Sequence, residues 1–197
     1  MHETITRMLN KWGTLKTVLP LLVLTITLMV VINTAHLPIT VPRIQEVSQG
    51  ADILDMHIFY SKTEVYSLLE QLQPEGRRIY IKLLMGFDFA FPALYAVTFS
   101  LIVSTLYRSS RRWIIRTLVW LPLMAGVFDW SENVSIIMIL LKYPVTSVAA
   151  YAAGFLTLGK WISIWLSLGV VFAGLCFKLT KVGILKNDIR NNTTAKK

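Results

Sequence analysis

The sequence predicts an all-α membrane protein with four transmembrane helices and one amphipathic helix outside the membrane. Hydrophobic residues make up 54% of the chain and charged residues 16%, and the mean hydropathy is +0.57. This composition is too apolar for an ordinary soluble domain. Four separate apolar segments also reach the roughly 20 residues that a bilayer-spanning helix needs. A chain of 197 residues then fits one membrane domain, a single four-helix bundle.

The four predicted spans cover residues of about 17–35, 79–106, 113–141 and 155–177. The first apolar run is longer than the ~7–15 residue core of a secretory signal peptide, and no A-x-A-like cleavage site follows it. We therefore interpret this segment as a membrane helix that stays in the protein.

The basic residues predict the orientation of the spans. The net charge is +9, and thirteen of the 20 Lys and Arg residues fall on one side of a four-span chain. The positive-inside rule makes that side cytoplasmic, so we expect a multi-pass protein of the cytoplasmic membrane with both termini inside. The bilayer, including its anionic lipids, is the expected partner. No zinc-finger spacing or RNA-binding aromatic signature is present, so no nucleic-acid partner is expected. The thirteen are Arg7, Lys11, Lys16, Arg108, Arg111, Arg112, Arg116, Lys178, Lys181, Lys186, Arg190, Lys196 and Lys197.

The outer loop, about residues 37–78, contains a predicted amphipathic helix over about 62–73. Ser61 and Glu64 have the spacing of a capping box at a helix start. An apolar stripe at i, i+3, i+4 and i+7 follows, and Pro74 and Gly76 then indicate a break. The helix could be a lid over a polar site or a connector packed on the bundle, and we favour the connector. The stripe consists of Val65, Leu68, Leu69 and Leu72.

The same loop carries Asp52, Asp55 and His57. These three side chains offer ligands to a cation. Acidic residues in loops are usually solvated, however, and we interpret these as solvated.

Three acidic residues lie inside the predicted spans: Asp88, Asp129 and Glu132. A charged carboxylate in hydrocarbon costs on the order of 3 kcal/mol even on mild insertion scales. Asp129, Glu132 and Asn133 stand at i, i+3 and i+4, which places them on one face of the third helix. At 1.5 Å per residue, all of these positions fall in the outer half of the bilayer or near its midplane. We expect one shared, outward-facing polar pocket.

Two further residues, Tyr95 and Lys160, are candidates for that pocket, and Pro92 affects the backbone near Asp88. Pro92 stands four residues after Asp88 and leaves its backbone carbonyl without a helical donor, which either kinks the helix or frees an oxygen for an ion. Tyr95 offers a hydroxyl on the same helix face, and Lys160 enters the bilayer from the outer side on the fourth helix.

Several of these residues also form short motifs. These are Tyr60-Ser-Lys-Thr-Glu64-Val-Tyr66, Glu75-Gly76-Arg77, Asp88-x-x-Phe-Pro92-x-x-Tyr95 and Asp129-x-x-Glu132-Asn133. Over about residues 50–165, the sequence resembles a group of small four-helix bacterial membrane proteins. The resemblance implies an architecture and no particular activity.

The candidate pocket is compatible with three functions. Its acids and Asn133 could hold the fold in register with Lys160, or bind a small ligand, a lipid or an ion; we favour this scaffold or binding function. Carboxylates that share protons also suit a proton- or ion-coupled transporter, which would need to form a homo-oligomer. As hard oxygen ligands, Asp88, Asp129 and Glu132 could instead bind Mg²⁺, Mn²⁺ or Ca²⁺ in an enzyme acting on a lipid.

Other chemistry lacks sequence support. Cys176 is the single cysteine, so there is no intramolecular disulfide and no CxxC redox motif. The sequence contains no GxSxG, HExxH, P-loop or dinucleotide-binding motif. The sequence identifies no cofactor beyond the candidate divalent cations Mg²⁺, Mn²⁺ and Ca²⁺, and it is compatible with both an enzyme and a non-enzyme.

Overall fold

The computed structural model describes residues 8–9, 11–108 and 117–194, with the side chains up to residue 180. These residues contain helices and no strand, and four helical segments are long and apolar enough to cross a membrane. The predicted all-α membrane fold is therefore confirmed. The helices are α1 (Leu15–Thr34), α2 (Val41–Val47), α3 (Lys62–Gln71), α4 (Gln73–Met85), α5 (Phe87–Tyr107), α6 (Trp120–Lys142) and α7 (Ala149–Thr194), with a 3₁₀ turn at Leu54–Met56.

The second predicted span differs from a single helix over 79–106. It is divided at Gly86 into α4 and α5. A Cβ atom on Gly86 would lie 2.9 Å from the carbonyl oxygen of Lys82, so this backbone path favours glycine. Lys82 and the other basic side chains of this segment belong to α4, and Asp88 lies in the first turn of the apolar α5.

The outer loop folds into a layer that continues the core of the bundle. In α3 the predicted capping box is complete: the Ser61 N–H donates to Glu64 Oε2 at 2.6 Å, and the Glu64 N–H donates to Ser61 Oγ at 3.3 Å. These two bonds lower the pKa of Glu64, so the box is ionised and intact at neutral pH. The break after α3 falls at Gln73, directly before Pro74. The backbone φ of Gln73 is +56°.

The predicted stripe of α3 is the face that this layer buries. Val65, Leu69 and Leu72 are fully buried and Leu68 is partly buried. They belong to one apolar cluster that also contains residues of α2, α4 and α6, including Ile44, Leu83 and Ile136. Burial of such side chains stabilises the layer by about 1.5–3 kcal/mol each. The α3 helix thus packs as part of the core.

Two glycines allow the close contacts that position the site. A Cβ atom on Gly126 of α6 would lie 2.9 Å from Ala96 Cβ and 3.1 Å from the Pro92 carbonyl oxygen of α5. A Cβ atom on Gly154 of α7 would lie 2.0 Å from the backbone oxygen of Tyr60. Glycine is needed at both positions because any side chain would push the neighbouring backbone away.

Some sequence predictions fall outside the described residues. The start of the third span at residue 113 is among them, and so are basic residues that predict the topology. The latter are Arg7, Arg111, Arg112, Arg116, Lys196 and Lys197, together with the side chains of Lys181, Lys186 and Arg190.

Candidate functional site

The centre of the polar site is the ammonium group of Lys160 on α7. Its Nζ atom lies 2.5 Å from Glu132 Oε2 and 3.5 Å from both Asp129 Oδ1 and Asp55 Oδ1. Lys160 is 4% exposed and Glu132 is fully buried. The carboxylates around the buried ammonium compensate its charge, and the ammonium in turn compensates theirs.

Each of the three carboxylates also accepts a hydrogen bond from a different tyrosine. Tyr60 donates to Glu132 Oε1 at 3.0 Å, and Tyr95 donates to Asp129 Oδ2 at 3.0 Å. Tyr80 of α4 donates to Asp55 Oδ2. Burial, and secondarily the nearby charge of Glu132, raises the pKa of Tyr60, so this hydroxyl remains a donor.

Glu132 has more polar contacts than either of the other two acids. In addition to Lys160 and Tyr60, it accepts a hydrogen bond on Oε1 from Thr157 at 2.5 Å. The Thr157 hydroxyl also lies 2.9 Å from the carbonyl oxygen of Ala153, one turn earlier in α7. Glu132 therefore joins α6 to α7 and to the segment before α3.

Asn133 links the site to Asp88 through the backbone. Its Nδ2 atom donates to the Asp88 carbonyl oxygen at 3.0 Å, which is the oxygen that Pro92 deprives of a helical donor. Asn133 is 4% exposed, and its Oδ1 atom has no hydrogen-bond partner among the described residues. This amide oxygen is thus a buried acceptor in the site without a donor from the described part of the chain.

A cavity of about 360 Å³ lies directly beneath these charges. All four spanning segments contribute to its wall, which is mainly apolar and aromatic, and its charged lining residues are Asp129 and Lys160. Both lie at the end of the cavity next to the loop residue Asp55, which contacts Lys160 at 3.5 Å, and the lining continues away from that end along α7 to Leu168 and along α6 to Pro122. The wall consists of Thr25, Met29, Phe91, Tyr95, Phe99, Pro122, Ala125, Asp129, Lys160, Trp161, Ile164, Ser167 and Leu168.

The carboxylates are suitable ligands for a hard metal ion, but the space between them is already occupied by the ammonium group of Lys160. One oxygen each of Asp55, Asp129 and Glu132 lie within 4.8 Å of one another, and carboxylate oxygens are ligands that Mg²⁺, Mn²⁺ and Ca²⁺ accept. The ammonium of Lys160 contacts all three side chains. A divalent cation between them would have to displace an existing positive charge, so the residues present do not fit a metal well.

The structure brings four of the six predicted pocket residues into direct contact. Asp129, Glu132, Tyr95 and Lys160 form one hydrogen-bonded and ion-paired group. Asn133 contacts the Asp88 backbone, which holds Asp88 against α6. Asp88 does not belong to the carboxylate triad; Asp55 takes that position instead.

Sequence reasoning missed four residues of this group: Asp55, Tyr60, Tyr80 and Thr157. The interpretation of Asp55 as a solvated loop acid is wrong, because its side chain is only 15% exposed and faces Lys160. Its neighbours Ile53 and Leu54 are 3% and 1% exposed, and this apolar pair was a signal that the loop folds inward. Asp52 and His57, by contrast, form an exposed pair at 3.7 Å.

Comparison with protein-family models, with curated proteins and with solved structures finds no match for the chain. The resemblance to a bacterial group of four-helix proteins therefore stays a prediction. What is established is the class: a helical membrane protein with a buried acidic cluster.

Proposed function

We propose that the protein is a membrane-embedded binding protein for a small amphiphilic ligand. The observation that supports this function is the cavity of about 360 Å³, which ends at two buried charged groups. Ligand sites in proteins are typically about 300–1,000 Å³, mostly apolar, with a few polar groups that orient the ligand. The apolar part of the ligand would occupy the space between α1, α5, α6 and α7, and its polar part would contact Asp129.

The polar network also supports a site that is held ready for its ligand. Tyr95 and Lys160 fix the two oxygens of Asp129 at 3.0 and 3.5 Å, and Trp161 of the wall donates to the His57 carbonyl oxygen at 2.8 Å. Contacts of this kind order the side chains before the ligand binds, so less conformational entropy is lost on binding. The scaffold role of the cluster and its binding role are thus compatible.

Blocking the cavity tests this function. Ala125→Phe inserts a ring into the space, while Ala152→Phe adds the same ring on an exposed face of α7 and serves as the matched control. Native mass spectrometry of both proteins from gently solubilised membranes should show bound small amphiphiles on the control and on the wild type, but not on Ala125→Phe. Equal occupancy in all three proteins, at equal thermal stability, would overturn the proposal.

Proton- or ion-coupled transport is a second candidate, supported by the charge balance of the cluster. Three carboxylates share one ammonium group, and excess negative charge at low dielectric favours uptake of protons or cations. The wall of the cavity is mainly apolar, so a path across the membrane would require a homo-oligomer. Proteoliposomes that carry a pH-sensitive dye should report proton movement with the wild type and none with Asp129→Asn; no movement with either excludes this candidate.

For the location we propose the cytoplasmic membrane, with both termini in the cytoplasm. The distribution of the basic residues supports this orientation. Cysteines introduced at Glu70 and at Asn187, in a Cys176→Ala background, should differ in labelling by an impermeant thiol reagent in intact cells. We expect labelling at position 70 only, and strong labelling at both positions would contradict the topology.

A further inference from the structure

The charges at the end of the cavity do not balance. Asp55, Asp129 and Glu132 contact Lys160, so the group carries two more acids than cations. The other titratable groups in contact are the hydroxyls of Tyr60, Tyr80 and Tyr95, which donate as neutral groups. A ligand that enters this end of the cavity therefore meets a group with more carboxyl groups than ammonium groups.

Asp129 has more remaining capacity to accept a cation than Glu132, and it is the acid of this group that lines the cavity. Lys160 lies 2.5 Å from Glu132 but 3.5 Å from Asp129, so its ammonium is shared unequally. Glu132 additionally accepts from two hydroxyls and does not line the cavity, whereas Asp129 accepts from one hydroxyl among the described residues, that of Tyr95, and does line it. The carboxylate that faces the cavity is thus the less neutralised of the two.

The wall next to Asp129 also suits a cation on an apolar body. Phe91 and Tyr95 stand edge to face with ring centroids 5.4 Å apart, and both line the cavity with Phe99 and Trp161. Aromatic faces attract alkylammonium groups that have lost part of their hydration. A carboxylate or phosphate in the same place would gain nothing from these rings, and the Lys160 ammonium that could attract it already contacts three carboxylates.

We infer that the ligand of this cavity is a cationic amphiphile: a single apolar chain or ring system that ends in an amine or quaternary ammonium group at Asp129. The inference rests on the proposed binding function and adds the charge of the ligand. A volume of about 360 Å³ lies at the low end of ligand sites and suits one chain better than the two chains of a phospholipid.

Three probes with one tail and different head groups test the charge. Decylamine, decan-1-ol and decanoate are added to the protein in phosphatidylcholine nanodiscs, and apparent affinity is taken from the concentration dependence of thermal stabilisation. Ala125→Phe, measured in parallel, gives the effect of each probe on the bilayer alone. We expect the amine to bind about tenfold or more tightly than the alcohol, which corresponds to about one ion pair of partly screened strength, and decanoate to bind most weakly.

Two variants locate the charge effect. Asp129→Asn keeps the shape of the side chain and should remove the preference for the amine over the alcohol. Asp52→Asn removes an exposed acid of the outer loop and should leave the preference unchanged. Because the selectivity series uses the wild type, the inference is tested even if Asp129→Asn does not fold.

The outcomes separate the inference from the function on which it rests. If alcohol or decanoate binds as tightly as the amine to the wild type, and Ala125→Phe blocks that binding, the charge inference fails and the binding function stands. If no probe distinguishes the wild type from Ala125→Phe, the binding function fails. Phosphatidylethanolamine added to the nanodiscs distinguishes the source: competition with decylamine assigns the site to a lipid ammonium group, and its absence to a free single-chain amine.

Discussion

The side-chain amide of Asn133 donates to the backbone carbonyl oxygen of Asp88 at 3.0 Å, across the contact between α6 and α5. This oxygen would otherwise accept from the residue four positions later, which is Pro92 and has no N–H. A buried carbonyl without a donor destabilises a membrane protein because lipid offers no replacement. Asn133 therefore supplies from one helix the bond that the proline removes from another.

A double-mutant cycle tests this relationship. Asn133→Leu should lower the free energy of unfolding by about 1–3 kcal/mol, the cost of leaving a buried polar group unpaired. Pro92→Ala restores an N–H to α5, so the same Asn133→Leu change should cost less in that background. The free energy of unfolding is measured in mixed micelles for the wild type, the two single variants and the double variant. Strict additivity would show that Asn133 stabilises the protein by some other contact.

Glu132→Gln should leave the fold intact. The amide oxygen can face Lys160 while the amide NH₂ donates to Tyr60 and Thr157, since both hydroxyls can accept as well as donate. Thr157 can donate to the Ala153 carbonyl oxygen in that arrangement. Because one of the excess charges is also removed, we expect the free energy of unfolding to change by no more than about 1 kcal/mol.

Glu132→Leu is the matched comparison for this position. It leaves the hydroxyls of Tyr60 and Thr157 without their acceptor and Lys160 without its shortest contact. The expected loss is about 3 kcal/mol or more, measured by the same unfolding assay. If the Gln and Leu variants lose equal stability, the carboxylate itself, and not its hydrogen bonding, holds the site together.

Gly154 and Gly169 of α7 form a natural pair for testing the contact with the outer layer. At Gly154 an added Cβ atom would lie 2.0 Å from the Tyr60 carbonyl oxygen, whereas nothing lies within 4 Å of a Cβ atom at Gly169. Gly154→Ala should therefore destabilise the protein by about 1–3 kcal/mol or more, as overpacking does. Gly169→Ala should be neutral or stabilise the helix by up to about 1 kcal/mol. Thermal unfolding that ranks them in the opposite order would contradict this packing.

The sequence was most informative where one physical rule dominates. Apolar length predicts the four spans, and the spacing of Ser61 and Glu64 predicts the start of α3, because both are local properties of the chain. The helical spacing of Asp129 and Glu132 likewise predicts that they share a face. The division at Gly86 was not predicted, because the residues on both sides favour helix and only the tertiary path of the backbone shows the break.

The site residues that the sequence did not predict come from parts of the chain that are distant in sequence. Asp55 and Tyr60 come from the outer loop, and they reach Lys160 only because Leu54 and its neighbours are buried against the bundle. Periodicity carries no information about such contacts across more than 70 residues of chain, such as the one between Tyr60 and Glu132. The cavity has the same origin, since its volume depends on how four helices pack and not on any one of them.

Lys160 gives the most direct test of the electrostatics of the cluster. Removing one partner from a buried ion pair typically costs about 3–5 kcal/mol, because the other charge is left uncompensated. In Lys160→Met three acids remain together, and their repulsion requires that they be ionised. Lower pH adds protons to Asp129 and Glu132 and reduces the repulsion, so the stability lost by Lys160→Met should be large at pH 7 and smaller at pH 5. Melting temperatures of the variant and the wild type at both pH values measure this difference.

Lys82→Met, which removes an exposed ammonium from α4, is the control and should show a small effect that does not depend on pH. An equal loss for Lys160→Met at both pH values would attribute its role to the packing of its aliphatic stem instead of its charge.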